Sequence, residues 1–256
     1  MCPRPVSAAR RVINPACSSC PCKAKGVAFT YVPDLLTKPT AELTLGLMIA
    51  LCRNVRAGDA HVRAVDFRGW RPLLYGGSLD GARVGVIGAG QVGQALLRLL
   101  SGFCCERVYF DIAGLSAAQE SDLKADFQPL ETLITTSDFV VLATPLTPQT
   151  LGVVDATFLG RMKAGAYLIN PGRGSVVVED AVADALKSGH LAGYAADVFE
   201  MEDQSRPDAP AAVPEALLNA TNTVFTPHLG SAVASVRKQI AQAAADEISR
   251  CLSSAV

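Results

Sequence analysis

Three residues in this chain combine side chains able to do acid–base chemistry with positions where loops leave apolar runs. Arg173 lies in Asn170-Pro171-Gly172-Arg173-Gly174-Ser175, and Glu202 follows Asp197-Val198-Phe199-Glu200-Met201. His228 lies in Thr226-Pro227-His228-Leu229-Gly230-Ser231. Histidine titrates in the range where it can take a proton and return it near neutral pH. A carboxylate on its other ring nitrogen fixes the tautomer and stabilises the imidazolium as it forms. An arginine holds a small anion and polarises it. Each residue has a plain alternative: a loop histidine, a turn-capping arginine, a solvated acid beside Asp203. Converging, the three can oxidise a small anion if a hydride acceptor sits beside them. His61 and His190 stand in helical or helix-exit contexts without a partner and read as surface residues.

The acceptor has its own signature. Gly88-Ala89-Gly90-Gln91-Val92-Gly93 directly follows the apolar run Arg83-Val84-Gly85-Val86-Ile87. A helical pattern comes next (Val92, Ala95, Leu96, Leu99, Leu100), and Asp111 closes Arg107-Val108-Tyr109-Phe110. Strand, glycine-rich turn, helix and a second strand ending in a carboxylate form the dinucleotide fingerprint. The first glycine permits the tight turn, the second lets backbone N–H groups approach a pyrophosphate, and the third lets helix and strand pack closely. Asp111 would accept hydrogen bonds from the ribose hydroxyls and repel a 2′-phosphate, which favours NAD over NADP. The alternative is a glycine-rich turn in an ordinary α/β protein.

These residues need a scaffold. From Gly81 onward short apolar runs alternate with helical patterns: Val84–Ile87, Val108–Asp111, Phe139–Ala143, Ala166–Asn170, Tyr194–Val198 and Thr223–Thr226. Between them, Asp155 stands as N-cap of one helix, and Glu179 and Asp180 fill the first turn of another over Val178–Ser188. Continuous apolar strands separated by helices predict an α/β fold, a doubly wound parallel sheet covered on both faces. Such sheets bind ligands at the carboxyl ends of their strands, where Arg173, Glu202 and His228 all fall. Pro39 to about Ala64 reads as one long helix burying Leu43, Leu47, Ile49, Ala50 and Val55. Phe67–Gly77 reads as an irregular excursion, and Val233–Leu252 as a final helix.

With 256 residues, 50% hydrophobic, and a formal net charge of −1, the chain can bury a sizeable core but offers no electrostatic case for nucleic acid or an anionic membrane. Leu43–Cys52, its longest apolar stretch, is broken by Thr44 and Gly46 and is too short to cross a bilayer. Met1–Lys25 lacks the continuous apolar run of a secretory signal. Cys52, Cys104, Cys105 and Cys251 read as small buried hydrophobes in a reduced cytoplasm. Cys17, Cys20 and Cys22 cluster near Cys2, but no second pair completes a zinc site, so no metal is expected.

On these residues the chain resembles the D-isomer-specific 2-hydroxyacid dehydrogenase superfamily, and within it the phosphonate (phosphite) dehydrogenase branch. The likeness covers about Gly26 to Leu252. It rests on Tyr31–Glu42, Gly69-Trp70 with Tyr75, Asn170–Val177, Gly193–Asp203 and Thr226–Val233. The arginine, glutamate and histidine motifs are shared across the superfamily. The Tyr194–Asp203 run and the Trp70/Tyr75 pair point to the phosphite-oxidising branch.

The resemblance implies that Arg173 contacts the anionic substrate, that His228 is the general base and that Glu202 is its partner. It further implies that Asp197 holds the nicotinamide carboxamide and that Thr40 lies near the nicotinamide. Gly88, Gly90, Gln91, Val92 and Gly93 would hold the pyrophosphate and Asp111 the ribose. Ala143, Thr144, Pro145, Pro171, Gly172 and Gly230 would line the cofactor. Trp70 and Tyr75, from an arm reaching a second subunit, would shape the substrate site of a homodimer. The expected organisation is a substrate-domain remnant at 1–33, an NAD-binding domain at 34–232 with a dimerisation arm near 60–80, and a C-terminal helix at 233–256. The expected reaction is oxidation of phosphite to phosphate. The alternatives are a D-2-hydroxyacid dehydrogenase and, from another class, an impaired NAD-binding or oligomerisation protein. Relatives carry a lysine-glycine loop for the substrate anion before this point, and Met1–Lys25 does not resemble it. That segment reads as out-of-frame or mis-started sequence from a truncated gene.

Overall fold

Runs such as Val84–Ile87 and Phe139–Leu142 have no polar face, so they are stable only when both sides of a strand are covered. In the computed structural model, which describes residues 32, 34–64, 67–203 and 206–253, that is where they lie. The strands are β1 (Arg83–Ile87), β2 (Glu106–Phe110), β3 (Asp126–Phe127), β4 (Phe139–Leu142), β5 (Ala166–Asn170), β6 (Leu191–Ala196) and β7 (Thr223–Phe225). They form one sheet of order β3-β2-β1-β4-β5-β6-β7, parallel throughout. The expected doubly wound parallel sheet is present.

The helices, in chain order, are α1 (Thr37–Cys52), α2 (Val55–Arg63), α3 (Gln91–Leu99), α4 (Ala117–Leu123), α5 (Leu130–Thr136), α6 (Ala156–Arg161), α7 (Glu179–Lys187), α8 (Glu215–Leu218) and α9 (Ala234–Ser253). Two apolar layers cover the sheet. One gathers Leu47, Met48 and Leu51 of α1 with Leu96 and Leu97 of α3 against Val84, Val86, Val141 and Ile169. The other gathers Leu133, Leu159, Val182 and Leu186 against Val140, Leu168 and Tyr194. By its contacts the chain divides into Leu36–Val233 and a second unit containing α9. No helix among the described residues is long and apolar enough to cross a membrane.

Several expectations are corrected. The long upstream helix is two helices, because Asn54 takes a left-handed backbone (φ 53) that a helix interior excludes and asparagine tolerates. Its side chain donates to the carbonyls of Leu74 and Tyr75, anchoring the base of the Phe67–Gly77 excursion. The buried face of α1 is Ala41, Thr44, Leu47, Met48 and Leu51, whereas Ile49 and Val55 are exposed. Cys104 is exposed. His61 and His190 are half-buried, and His61 packs edge-on against Phe67. The readings of Met1–Lys25, with its cysteine cluster, lie outside the described residues.

Candidate active site

Three turns leaving β5, β6 and β7 are stitched into one surface. The first follows Asn170, which is fully buried at the end of β5. Its side chain accepts the Gly172 N–H (3.1 Å) and donates to the Arg173 carbonyl (3.0 Å), setting the turn that presents Arg173 to solvent. Arg173 Nη1 donates to the Gly172 carbonyl at 2.8 Å. Gly174 then lies so close to the second turn that a Cβ there would overlap the Phe199 carbonyl. The Ser175 N–H donates to Asp203 Oδ2 at 3.0 Å, so the Arg173 turn and the Glu202 turn form one unit.

The second turn, a short 3-10 helix over Glu200–Glu202, aims Glu202 at the third. One carboxylate oxygen, Oε1, accepts the Phe199 N–H at 2.7 Å; the other, Oε2, lies 2.6 Å from His228 Nδ1. That contact leaves Nε2 as the ring atom open to a substrate, with Nδ1 carrying the proton that faces the carboxylate.

Asp197 holds the third turn. It is 1% exposed, and its carboxylate accepts from Thr226 Oγ1 (2.6 Å), the Leu229 N–H (2.6 Å) and the Gly230 N–H (2.8 Å). Its carbonyl accepts the His228 N–H at 2.8 Å. These bonds support His228 in a left-handed conformation (φ 57), unusual for a residue with a side chain. Thr40 is buried against this loop, since a Cβ on Gly230 would lie 3.0 Å from Thr40 Oγ1 and 3.2 Å from Asp197 Oδ2. The structure therefore brings Glu202, His228, Asp197, Thr40 and Gly230 together, with the turn that carries Arg173 joined to them through Gly174 and Ser175.

The glycine-rich loop stands on the same edge of the sheet, where the strand order reverses between β1 and β4. Gly88 (φ 100) turns so tightly that a Cβ would meet the Ala143 carbonyl oxygen at 2.6 Å. At Gly93 a Cβ would overlap the Gly88 carbonyl. Gly90 is the N-cap of α3; nothing lies within 4 Å of where its Cβ would be, and no side chain caps the helix. Open backbone at the positive end of a helix is a cradle for a diphosphate. Gln91 and Val92 begin the helix, and Ala143 and Thr144 face the turn as half-buried residues, with Pro145 exposed. Asp111 accepts the Ala89 N–H (2.7 Å) and the Ala113 N–H (3.1 Å), so its carboxylate sits at the lip of this cradle. By shape and donor set these residues fit a dinucleotide with free ribose hydroxyls.

Trp70 and Tyr75 are 88% and 82% exposed. Among the described residues no hydrogen bond or ring contact ties them to Arg173, Glu202 or His228. Two side chains of interest escaped the sequence reading. Ile112 projects fully exposed beside Asp111. Glu179, taken there only as a first-turn acid, is 1% exposed, and its Oε1 accepts the Glu200 N–H at 2.8 Å. Burial pushes its carboxyl up to about 7, with the charges of Glu200, Asp180 and Glu202 adding to the effect.

Comparison with known proteins places this geometry. Residues 45–230 match the family described as D-isomer specific 2-hydroxyacid dehydrogenase, NAD binding domain. The glyoxylate reductase of Pyrococcus horikoshii is 38% identical over 229 residues, which cover 88% of this chain and 66% of that protein. That of Pyrococcus furiosus is 37% identical, over 85% of this chain and 64% of its own length. The chain thus spans slightly less than two thirds of both. Among solved structures, the apo D-lactate dehydrogenase of Escherichia coli superposes with a TM-score of 0.79 at 29% identity, over 91% of this chain and 70% of that one. The holo D-mandelate dehydrogenase of Rhodotorula graminis gives 0.77 at 26% identity, over 86% and 64%. These relatives are named for hydroxy or keto acids, and none of them for phosphite. On these matches the chain belongs to the D-isomer specific 2-hydroxyacid dehydrogenase family, and residues 45–230 are its NAD-binding domain.

Proposed function

We propose that this chain interconverts a small 2-hydroxy acid and its 2-keto acid with NAD, with glyoxylate as the first substrate to try. The observation that carries the reading is the 2.6 Å contact between Glu202 and His228, on the sheet edge that also bears the glycine cradle. Bound NAD supplies the hydride acceptor or, reduced, the donor. The chain's own residues do the rest. Arg173, exposed on its turn, receives the substrate carboxylate. His228 Nε2 takes the hydroxyl proton during oxidation and returns it during reduction, while Glu202 offsets the imidazolium charge. Asp197 and Thr40 shape the nicotinamide end, with Pro171, Gly172 and Gly230 along the wall. Asp111 selects the unphosphorylated ribose, and Ile112 offers an apolar surface for the adenine. Residues 34–232 act as the NAD-binding domain, working in the cytoplasm.

Phosphite is the second reading, favoured by the Tyr194–Asp203 run and the Trp70/Tyr75 pair. There His228 would deprotonate a water attacking phosphorus. Homologues named for keto and hydroxy acids favour the first reading. A homodimer accompanies both: Phe67, Trp70, Leu73, Leu74 and Tyr75 are all exposed on one arm, an apolar surface suited to a second copy.

The deciding experiment follows NADH absorbance in the purified chain, with glyoxylate and NADH in one arm and phosphite and NAD in the other. Glyoxylate-dependent oxidation of NADH supports the proposal. Turnover with phosphite alone replaces it with the second reading. NADH binding without turnover of either substrate identifies a cofactor-binding chain and ends both.

A further inference from the structure

Glu179 begins helix α7 beneath the Glu200–Glu202 turn. It is 1% exposed, and its two oxygens have different surroundings. Oε1 accepts the Glu200 N–H at 2.8 Å, whereas Oε2 is buried with no hydrogen-bond partner among the described residues. A carboxylate so placed would leave half of a charged group without solvent or donor, a costly arrangement. The neutral acid removes that charge. The acids acting on Glu179 are Glu200 and Glu202 on the turn above and Asp180 on its own helix, and the buried Tyr194 hydroxyl faces it from β6. Glu200 is itself paired with Arg206 at 3.1 Å.

We propose that Glu179 is a positioning residue which, as the protonated acid, holds the Glu200–Glu202 turn so that Glu202 meets His228. The connection is short. Glu179 Oε1 fixes the Glu200 N–H; the adjoining Phe199 N–H is fixed by Glu202 Oε1; Glu202 Oε2 then reaches His228 Nδ1. The proton on Glu179 keeps a further negative charge from this turn, where Glu200, Glu202 and Asp203 already lie. When Glu179 ionises, a charge held away from water, with repulsion from Glu200 and Glu202 added, outweighs its firmer grip on the Glu200 N–H and loosens the turn until water reaches it. The Glu202–His228 contact therefore weakens as pH rises above neutrality. This inference rests on the proposed role of that pair, and its test is readable without turnover.

The experiment uses the full chain. With glutamate labelled at the side-chain carboxyl carbon, the resonance lost in Glu179→Gln should titrate at about pH 7. A midpoint in the ordinary carboxylate range overturns the protonated state. The ring 15N shifts of His228, assigned by their loss in His228→Gln, report which nitrogen carries the proton. At about pH 8.5, above the usual imidazole range, they should show the Nδ1–H form in Glu179→Gln and lose that preference in Glu179→Leu. A folded Glu179→Leu protein that keeps the Nδ1–H form overturns the positioning role. If Glu179→Leu does not fold, Glu179→Gln decides. It should keep the Nδ1–H preference at about pH 8.5, where wild type loses it, and coincident curves overturn the proposal. In an active preparation the kcat ratio of Glu179→Gln to wild type should rise about threefold over the same range, with KM moving less. A constant ratio counts against the proposal.

Discussion

Glu202 Oε2 lies 2.6 Å from His228 Nδ1, while the other oxygen of the same carboxylate is held by the Phe199 N–H at 2.7 Å. One acid thus orients the histidine and is itself oriented by the backbone. Glu202→Gln keeps the size but loses the charge that balances an imidazolium. It should lower kcat for glyoxylate by about 10- to 100-fold, and His228→Gln should lower it by about 10²–10⁴-fold. NADH binding, followed by fluorescence, should change little in either variant, which separates chemistry from cofactor affinity.

Asp197 makes a structural prediction. Three donors converge on its buried carboxylate, and an asparagine must turn its NH2 toward at least one of them. Asp197→Asn should cost about 3 kcal/mol of stability, read from urea unfolding. Because the same bonds support the left-handed His228, its activity should fall even at temperatures where the protein stays folded.

Cofactor choice should follow Asp111. Its carboxylate is fixed by the Ala89 and Ala113 N–H groups, so a 2′-phosphate would meet a positioned negative charge. Asp111→Asn should reduce the preference for NADH over NADPH by about tenfold or more, about 1.4 kcal/mol, measured as the ratio of the two Kd values.

Glu179 gives a pH dependence of stability with a definite sign. Its carboxyl stands at about 7 in the fold against the 4.5 of an ordinary glutamate. Between those values the native state holds a proton that the unfolded chain releases, so stability falls as pH rises through the window and stays lowered above it. Glu179→Gln removes that loss. At about pH 8 the variant should exceed wild type by at most about 3 kcal/mol, and the gap should close below about pH 4.5. Thermal melts across pH check both limits.

Much of this molecule is legible in one dimension. The glycine cradle, Asp111 and the apolar strands are local patterns, each imposed by a steric or burial demand that a short stretch of sequence must meet on its own. Asp155 shows the same rule, capping α6 through a 2.8 Å bond from the Phe158 N–H. Arg173, Glu202 and His228 could be named because parallel sheets place function at strand ends, although nothing in their spacing put Glu202 on Nδ1.

What depended on distant neighbours was not readable. The division between α1 and α2 hinges on Asn54, whose side chain bonds residues 20 and 21 positions away. Ile49 and Val55 look like core in a helical pattern, yet the face of α1 that meets α3 and β6 is the one bearing Thr44 and Met48. Glu179 looks like an ordinary first-turn acid, and only the turn folded over it removes its water. Residue types and local periodicity determined the elements and the chemistry available to them. The tertiary structure decided which carboxyl is solvated, which is buried and which reaches the histidine, because burial and charge proximity belong to the packed whole.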